Sequence, residues 1–172
     1  DIGQRIFRLP FSWSGMGVNI QGRSRRLRVN YRTSKQIREA SDRLLDPQIA
    51  DPDGENEARN DTISVFASEP PVITRHRDAA AEQTAVSDWI KARLAAGDSP
   101  EEIAVFVRSR TEFPRALAAV RNTDQAYAVL DDGTEPSPGQ IVVGTMHLAK
   151  GLEFRSVAVM AVDENVVPLA EI

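Results

Sequence analysis

The stretch QIVVGTMHLAKGLEF, residues 140–154, carries the strongest signals in this chain for both fold and ligand binding. Its β-branched run at residues 141–143 has no polar alternation, which predicts a strand covered on both faces of a parallel sheet. Polar residues and glycines follow at the predicted carboxyl end of that strand: Gly144, Thr145, His147, Lys150, Gly151 and Glu153. Open α/β sheets bind ligands at this end of their strands, so the sequence predicts a ligand-binding segment here.

Helical and strand patterns alternate through the rest of the chain. An N-cap at Asp78, apolar residues at four-residue spacing through Ile90 and a stop at Gly97 predict one helix. Thr111 opens a second predicted helix. Apolar runs predict strands at residues 63–67, 103–107, 126–130 and 157–162, with residues 72–75 either a further short strand or an extension of the first. This alternation favours the α/β class, with a mainly parallel sheet and helices on both faces.

The N-terminal part of the chain differs from the rest. Residues 1–26 lack a sustained periodicity and are predicted to be a connector, whereas residues 27–172 are predicted to form one domain. A brief strand near residue 28 is followed by a helix that Thr33 and Gln36 would start as a capping box. Two prolines, a glycine and six acidic residues at 46–61 predict a flexible acidic loop.

Composition excludes several classes of function. The chain of 172 residues has no cysteine and two histidines, so disulfides, thiolate metal sites and a histidine-rich metal site are not expected. No apolar run approaches the roughly 20 residues of a membrane span, and we expect a cytoplasmic protein without a membrane partner. The net charge is −4, but residues 1–45 hold ten basic and three acidic side chains. That asymmetry permits a local contact with a polyanion, although a solvated arginine-rich surface would look the same.

A complete site for nucleotide hydrolysis is not present in this sequence. Such a site needs a glycine-rich phosphate cradle, a magnesium carboxylate and often an arginine from a neighbouring surface. No GxxxxGK[ST] occurs, so the chain alone cannot hydrolyse ATP. VAVMAVDE at 157–164 imitates a strand that ends in magnesium ligands, but a buried strand ending in two solvated acids explains it better. Arg32, in NYRTS, suits a site that borrows an arginine, although such residues more often form surface ion pairs.

Three segments together are more specific than any of them alone. DIGQRIF, LRVNYRTS and VGTMHLAKGLEF, in this order, resemble the third, fourth and fifth motifs of superfamily 1 DNA helicases of the UvrD/Rep/PcrA type. The resemblance implies a RecA-like three-layer sandwich, the second motor domain, preceded by the end of the first at residues 1–26. The cradle would then precede residue 1, and the sixth motif would follow residue 172.

The resemblance also implies ligands and partners. The complete protein would use ATP and Mg²⁺, which this chain would not bind alone, and would move along single-stranded DNA or duplex junctions in the 3′ to 5′ direction. The first RecA-like domain of the same polypeptide would be its other partner. In the complete protein, this chain would form one wall of the ATP cleft.

The nucleotide-binding residues follow from the same resemblance. Gln4 would sense the γ-phosphate, Tyr31 would stack on adenine and Arg32 would be the arginine finger, so that Gln4 and Arg32 are the candidate catalytic residues. Glu153 would bond the ribose, and Gly151 would link the nucleotide to the DNA contact.

The DNA-binding residues follow likewise. Thr145, His147 and Lys150 would contact the single strand or connect that contact to the nucleotide. Trp13 is a candidate base-stacking residue, although it lies further beyond Gln4 than the family pattern has it. A linker tryptophan packed against the domain is equally consistent with its position.

Two other functions remain open. The chain could be a non-catalytic module that binds nucleic acid or protein and keeps the motor-domain fold. It could also belong to a helicase fused to a nuclease. The large helical subdomain that family members insert between the fourth and fifth motifs is absent or reduced here, since elements of the domain itself fill that interval.

Overall fold

The computed structural model describes residues 14–19, 29–43, 48–50, 56–58, 63–131, 137–164 and 166–167. The chain divides into two compact units, Asp1–Ile73 and Thr74–Ile172. This division falls within the segment 27–172 that the sequence assigns to a single domain. The predicted boundary after residue 26 lies outside the described residues and stays a prediction.

The first unit contains a short parallel strand pair and one helix. Strand β1 (Val29–Asn30) pairs with β4 (Ile63–Ser64), and helix α1 (Lys35–Asp42) follows β1. The side-chain oxygen of Ser34 accepts a hydrogen bond from the Ile37 backbone N–H at 3.4 Å. Ser34 is therefore the N-cap, one residue later than the predicted Thr33, because its hydroxyl reaches a free N–H of the first turn.

The acidic segment 46–61 is not wholly irregular, in contrast to the predicted loop. Strands β2 (Gln48–Ala50) and β3 (Asn56–Ala58) pair antiparallel, with Ile49 opposite Glu57. The composition of the segment predicted a loop, but a backbone ladder requires no apolar side chains to form. The correction concerns these two strands only.

The second unit contains a four-stranded parallel sheet. Its elements are α2 (Ala79–Ala95), β5 (Ile103–Val107), α3 (Phe113–Arg121), β6 (Tyr127–Val129), β7 (Ile141–Thr145) and β8 (Ser156–Val159). The strand order is β6-β7-β5-β8. The predicted α/β class and parallel sheet are confirmed, whereas the predicted strand at 72–75 is wrong, since these residues form no ladder.

Alternate residues of the strands point to two separate cores. Val105 of β5 belongs to a cluster that includes Ile90 of α2 and Val120 of α3, so both helices cover the same face of the sheet. Its buried members are Ile90, Ile103, Val105, Val107, Ala116, Ala119, Val120, Ile141, Val143 and Met160. We call this the helix-covered face.

The opposite face carries a smaller cluster, and no helix from the described part of this unit covers it. Its buried members are Ala104, Phe106, Leu130 and Val142, and the partly buried Met146, Leu148, Ala149 and Phe154 pack on them. The prediction of helices on both faces is therefore wrong for the described part of this unit. The physical reason is that the connection between β7 and β8 is short and passes over this face as a series of turns.

No helix within the described residues has the length and apolar character needed to cross a membrane.

Candidate functional site

The connection from β7 to β8 contains most of the predicted ligand-binding residues. Because β5 lies between β7 and β8, this connection must cross β5, and we call residues 146–155 the crossover segment. The Met146 N–H bonds the Val107 carbonyl at 2.9 Å, at the carboxyl end of β5. The Arg155 N–H bonds the Glu102 carbonyl at 3.0 Å, just before the amino end of β5. The segment thus runs from the carboxyl ends of the strands to their amino ends. We call these two sides of the sheet the carboxyl edge and the amino edge.

Consecutive turns, not a helix, give the crossover segment its shape. The N–H of Leu148 bonds the Thr145 carbonyl at 3.0 Å, and the N–H of Leu152 bonds the Ala149 carbonyl at 3.0 Å. None of residues 146–155, all of which are described, lies in an α-helix. The backbone groups of the segment are thereby partly satisfied without the space that a helix needs.

Most apolar residues of the segment pack on the sheet, whereas Leu152 and the charged or titratable residues are exposed. The Phe154 ring meets the Phe106 ring edge to face, with centroids 5.7 Å apart and an angle of 66°. His147, Lys150 and Glu153 are exposed. The apolar contacts fix the backbone of the segment, and the exposed side chains are carried on that fixed backbone.

The two ends of the segment lie at opposite edges of the sheet. Thr145 is the last residue of β7, and its hydroxyl lies 3.4 Å from Nε2 of His147. Glu153, in contrast, is two residues before Arg155 at the amino edge. The sequence predicted that all the polar residues after β7 would gather at the carboxyl edge, and this is wrong for Glu153 because the segment crosses the sheet.

Thr145 is 1% exposed, which limits what its side chain can reach. Its hydroxyl contacts the ring of His147, so Thr145 can orient that ring. The predicted contact of Thr145 with nucleic acid stays a prediction. His147 is the residue of this pair whose side chain is open to a ligand.

Two glycines of the site are required for different reasons. A Cβ at Gly144 would lie 3.0 Å from Leu130 Cδ1 and 3.2 Å from Phe106 Cε1, so a side chain there would require these neighbours to shift. Gly151 has φ +92° with nothing within 4 Å of an added Cβ. Conformation, rather than space, therefore favours glycine at residue 151.

The first of the two acids that imitate magnesium ligands, Asp163, has another partner. The carboxylate of Asp163 pairs with Nη1 of Arg115 at 2.6 Å, and Arg115 also pairs with Glu82. Burial alone would lower the pKa of Arg115, but the hydrogen bond with Asp163 and the charge of Glu82 raise it overall. No group of three or more potential metal ligands occurs among the residues that the structure describes.

A hydrogen-bonded turn carries Tyr31 and Arg32 in the first unit. Oδ1 of Asn30 accepts hydrogen bonds from the N–H groups of Arg32 at 2.9 Å and Thr33 at 3.0 Å. Such an Asx turn fixes the loop between β1 and α1. Tyr31 is 72% exposed and Arg32 is exposed as well, so both side chains project from a fixed backbone.

The predicted site residues therefore fall into three groups. Tyr31 and Arg32 belong to the first unit, whereas residues 145–153 belong to the second. Gln4 and Trp13 lie outside the described residues. Comparison of the chain with protein-family models, curated proteins and solved structures finds no match.

Sequence reasoning missed a contact at the amino edge of the sheet, between the turn before β5 and the residues before β7. At the amino edge, Oε2 of Glu101 accepts the Gly139 N–H at 2.9 Å, just before β7. Backbone hydrogen bonds, from its own N–H first and from Gly139 second, lower the pKa of Glu101. Ser99 and Glu102 form a capping box in this turn, and nothing in the sequence indicated that Glu101 would contact the distant Gly139.

Proposed function

We propose that this chain is part of an ATP-dependent DNA helicase or translocase of the UvrD/Rep/PcrA type, with a RecA-like second motor domain. The three ordered motifs support the family. The observation that carries the proposal is the crossover segment, which exposes His147 beside one edge of the sheet and Glu153 towards the other. One short segment would then contact the DNA at one end and the nucleotide at the other.

The chemistry assigned to Arg32 follows from its side chain and its loop. A guanidinium is permanently charged and offers five N–H donors in a fixed fork, which suits the charge that develops on a transferring phosphoryl group. The Asx turn at Asn30 holds the Arg32 backbone, so little ordering is required when the side chain meets its ligand. Arg32 would supply the arginine finger.

The phosphate cradle and the magnesium carboxylates would come from the first RecA-like domain, since the sequence has no GxxxxGK[ST]. Mg²⁺ would supply charge neutralisation on the phosphates there. In this chain, Glu153 would bond the ribose and Tyr31 would stack on adenine. Both residues are exposed, as these roles require.

Movement along DNA would follow from the shape of the crossover segment. One end is tied to the carbonyl of Val107, the last residue of β5, and the other to the carbonyl of Glu102, which directly precedes β5. A shift of the Glu153 end on nucleotide binding would therefore be transmitted through a short, packed backbone to His147. Hydrolysis would reverse the shift and yield a step along the strand.

The test of this proposal is Arg32→Ala in the complete polypeptide, with DNA-stimulated ATP hydrolysis as the readout. We expect a loss of about 10³-fold or more, because arginine fingers contribute about 10³ to 10⁵ in rate. Lys35→Ala is the matched control, because Lys35 is exposed, lies on the adjacent helix and forms only an i,i+4 pair with Glu39. Full DNA-stimulated activity in Arg32→Ala would show that the assignment is wrong.

A second candidate is a non-catalytic binding module with the same fold, with which the lack of a GxxxxGK[ST] in this sequence is equally compatible. In that case the complete polypeptide would hydrolyse no ATP, with or without DNA. The ATPase measurement on the unaltered protein therefore separates the two functions before any variant is made.

A further inference from the structure

A buried carboxylate lies at the amino edge of the sheet, where no motif predicted one. Asp98 follows α2 and is 7% exposed. Its Oδ2 accepts a hydrogen bond from the Ser156 hydroxyl at 2.7 Å, and its Oδ1 lies 3.1 Å from Nε of Arg155. Its own N–H bonds the Arg93 carbonyl at 3.1 Å. The carboxylate is thus fixed to the end of α2 and holds two residues that are distant in sequence.

Those two residues are where the crossover segment ends. Arg155 is its last residue, and Ser156 is the first residue of β8. The Arg155 side chain is 66% exposed, so its ion pair alone contributes little in water. The Ser156 hydrogen bond is buried and charge-assisted, and such bonds are stronger than neutral exposed ones. Asp98 therefore fixes the start of β8 mainly through Ser156.

Glu153 depends on this anchor because of its position in the chain. Only Phe154 separates it from Arg155 on the one side, and Gly151 lies two positions before it on the other. Between Glu153 and the anchor only Phe154 packs on the sheet, against Phe106. Without Asp98, this end of the segment would keep the backbone bond from Arg155 to Glu102 but lose the side-chain contacts that hold Arg155 and Ser156.

We propose that Asp98 is a positioning residue for the nucleotide end of the crossover segment, which acts through Ser156 and Arg155 to hold Glu153 against the ribose. This inference rests on the proposed function, which assigns the ribose contact to Glu153. It adds a residue outside the three motifs and gives the segment separate anchors for its two ligands. The His147 end has its own anchor at the Val107 carbonyl.

The test compares ATP with its 2′-deoxy and 3′-deoxy analogues, as ratios of kcat/KM in the complete polypeptide. Loss of a charged hydrogen bond to the ribose reduces such a ratio by about tenfold. We expect Glu153→Gln, which keeps a neutral acceptor but loses the charge, to reduce the selectivity for one ribose hydroxyl by up to about tenfold, and Asp98→Asn to reduce the same selectivity by at least about threefold. The double variant should be no less selective than Glu153→Gln alone, since the two residues act on one contact.

A control separates positioning from general loss of stability. Thr123 is also buried, and its hydroxyl bonds the Val120 carbonyl at 2.6 Å at the end of α3. Thr123→Ala should lower the melting temperature like Asp98→Asn while leaving ribose selectivity intact. Single-strand affinity should be unchanged in both variants, because His147 keeps its anchor.

The possible failures are distinct. Selectivity that is reduced in Glu153→Gln but retained in Asp98→Asn would overturn the positioning role alone. Equal losses in Asp98→Asn and Thr123→Ala would also overturn it. Unchanged selectivity in Glu153→Gln would show that Glu153 does not contact the ribose, and the proposed role of Asp98 would fail with it. Arg32→Ala tests the helicase function independently. Should Asp98→Asn not fold, Ser156→Ala removes the buried hydrogen bond and provides the same comparison.

Discussion

The two faces of the four-stranded sheet are covered in different ways, although the same strands form both. On the helix-covered face, α2 and α3 bury ten residues in one cluster. On the other face four residues are buried, and the crossover segment packs on them while exposing His147, Lys150 and Glu153. The comparison indicates that the first face provides most of the stability; under the proposed function, the second would provide the ligand contacts.

The largest effect is expected on the helix-covered face, with Ile90→Ala. Ile90 is fully buried in α2, and truncation of such a side chain costs about 2 to 5 kcal/mol in the free energy of unfolding, since it leaves a cavity. Denaturant unfolding of this chain measures the loss. DNA affinity per folded molecule should not change. A cost below about 1 kcal/mol would contradict the stabilising role given to this face.

Phe154→Ala tests the opposite face and should cost less. Phe154 is half-buried, so we expect about 1 to 3 kcal/mol, below the range for a fully buried phenylalanine. The backbone amides of Leu148 and Leu152 should exchange hydrogen faster, whereas the amide of Val105 should not, because it lies within the sheet.

Phe113→Ala is the matched control for that experiment. Phe113 is also half-buried but packs against the helix-covered cluster. It should cost a similar amount of stability and leave exchange in the crossover segment unchanged. Faster exchange at Leu148 in both variants would mean that the two faces are not independent.

The sequence predicted the elements of the second unit better than their arrangement. The N-cap at Asp78 and the stop at Gly97 are local signals, and both are confirmed by the side-chain bond to Ala81 and by φ +97°. Which face a helix covers depends on the order of the strands in the sheet, and local sequence patterns do not predict that order. The run at 157–162 predicted a buried strand, yet Val159 is 50% exposed because β8 is at the edge of the sheet.

The same limit applies to the site. Residue type and order identified the crossover segment, because its polar and glycine residues stand out after an apolar run. The separation of His147 from Glu153 needed the order β7-β5-β8, which appears only in the folded chain. Asp98 and Ser156 are 58 positions apart, so no local pattern could have linked them.

Gly151→Ala gives a smaller effect within the crossover segment. With φ +92° and open space around an added Cβ, the cost should be about 1 kcal/mol from backbone conformation alone. Gly139 has φ +78° and equally open surroundings, so Gly139→Ala should lower the melting temperature by a similar amount. Only Gly151→Ala should also alter ATP or DNA binding. Identical ligand binding in the two variants would argue against a role for Gly151 in either contact.

The smallest effect concerns pH and the amino edge. The pKa of Glu101 is lowered in the folded state, so its contribution is present above the ordinary glutamate pKa and is lost as the pH falls through the lowered value. Glu101→Gln should therefore make unfolding slightly less dependent on pH between about 5 and 3. Thermal unfolding across that range measures it. An unchanged acid dependence would show that the bond to Gly139 does not stabilise the fold.

The most direct test of the central claim is to measure single-strand affinity and the KM for ATP in the same two variants of the complete polypeptide, His147→Ala and Glu153→Gln. The account predicts that His147→Ala weakens strand binding by about fivefold with the KM for ATP unchanged, as expected for one lost hydrogen bond. Glu153→Gln should raise the KM for ATP and leave strand affinity unchanged. If both variants impair the same ligand, or neither impairs any, the crossover segment does not serve two ligands.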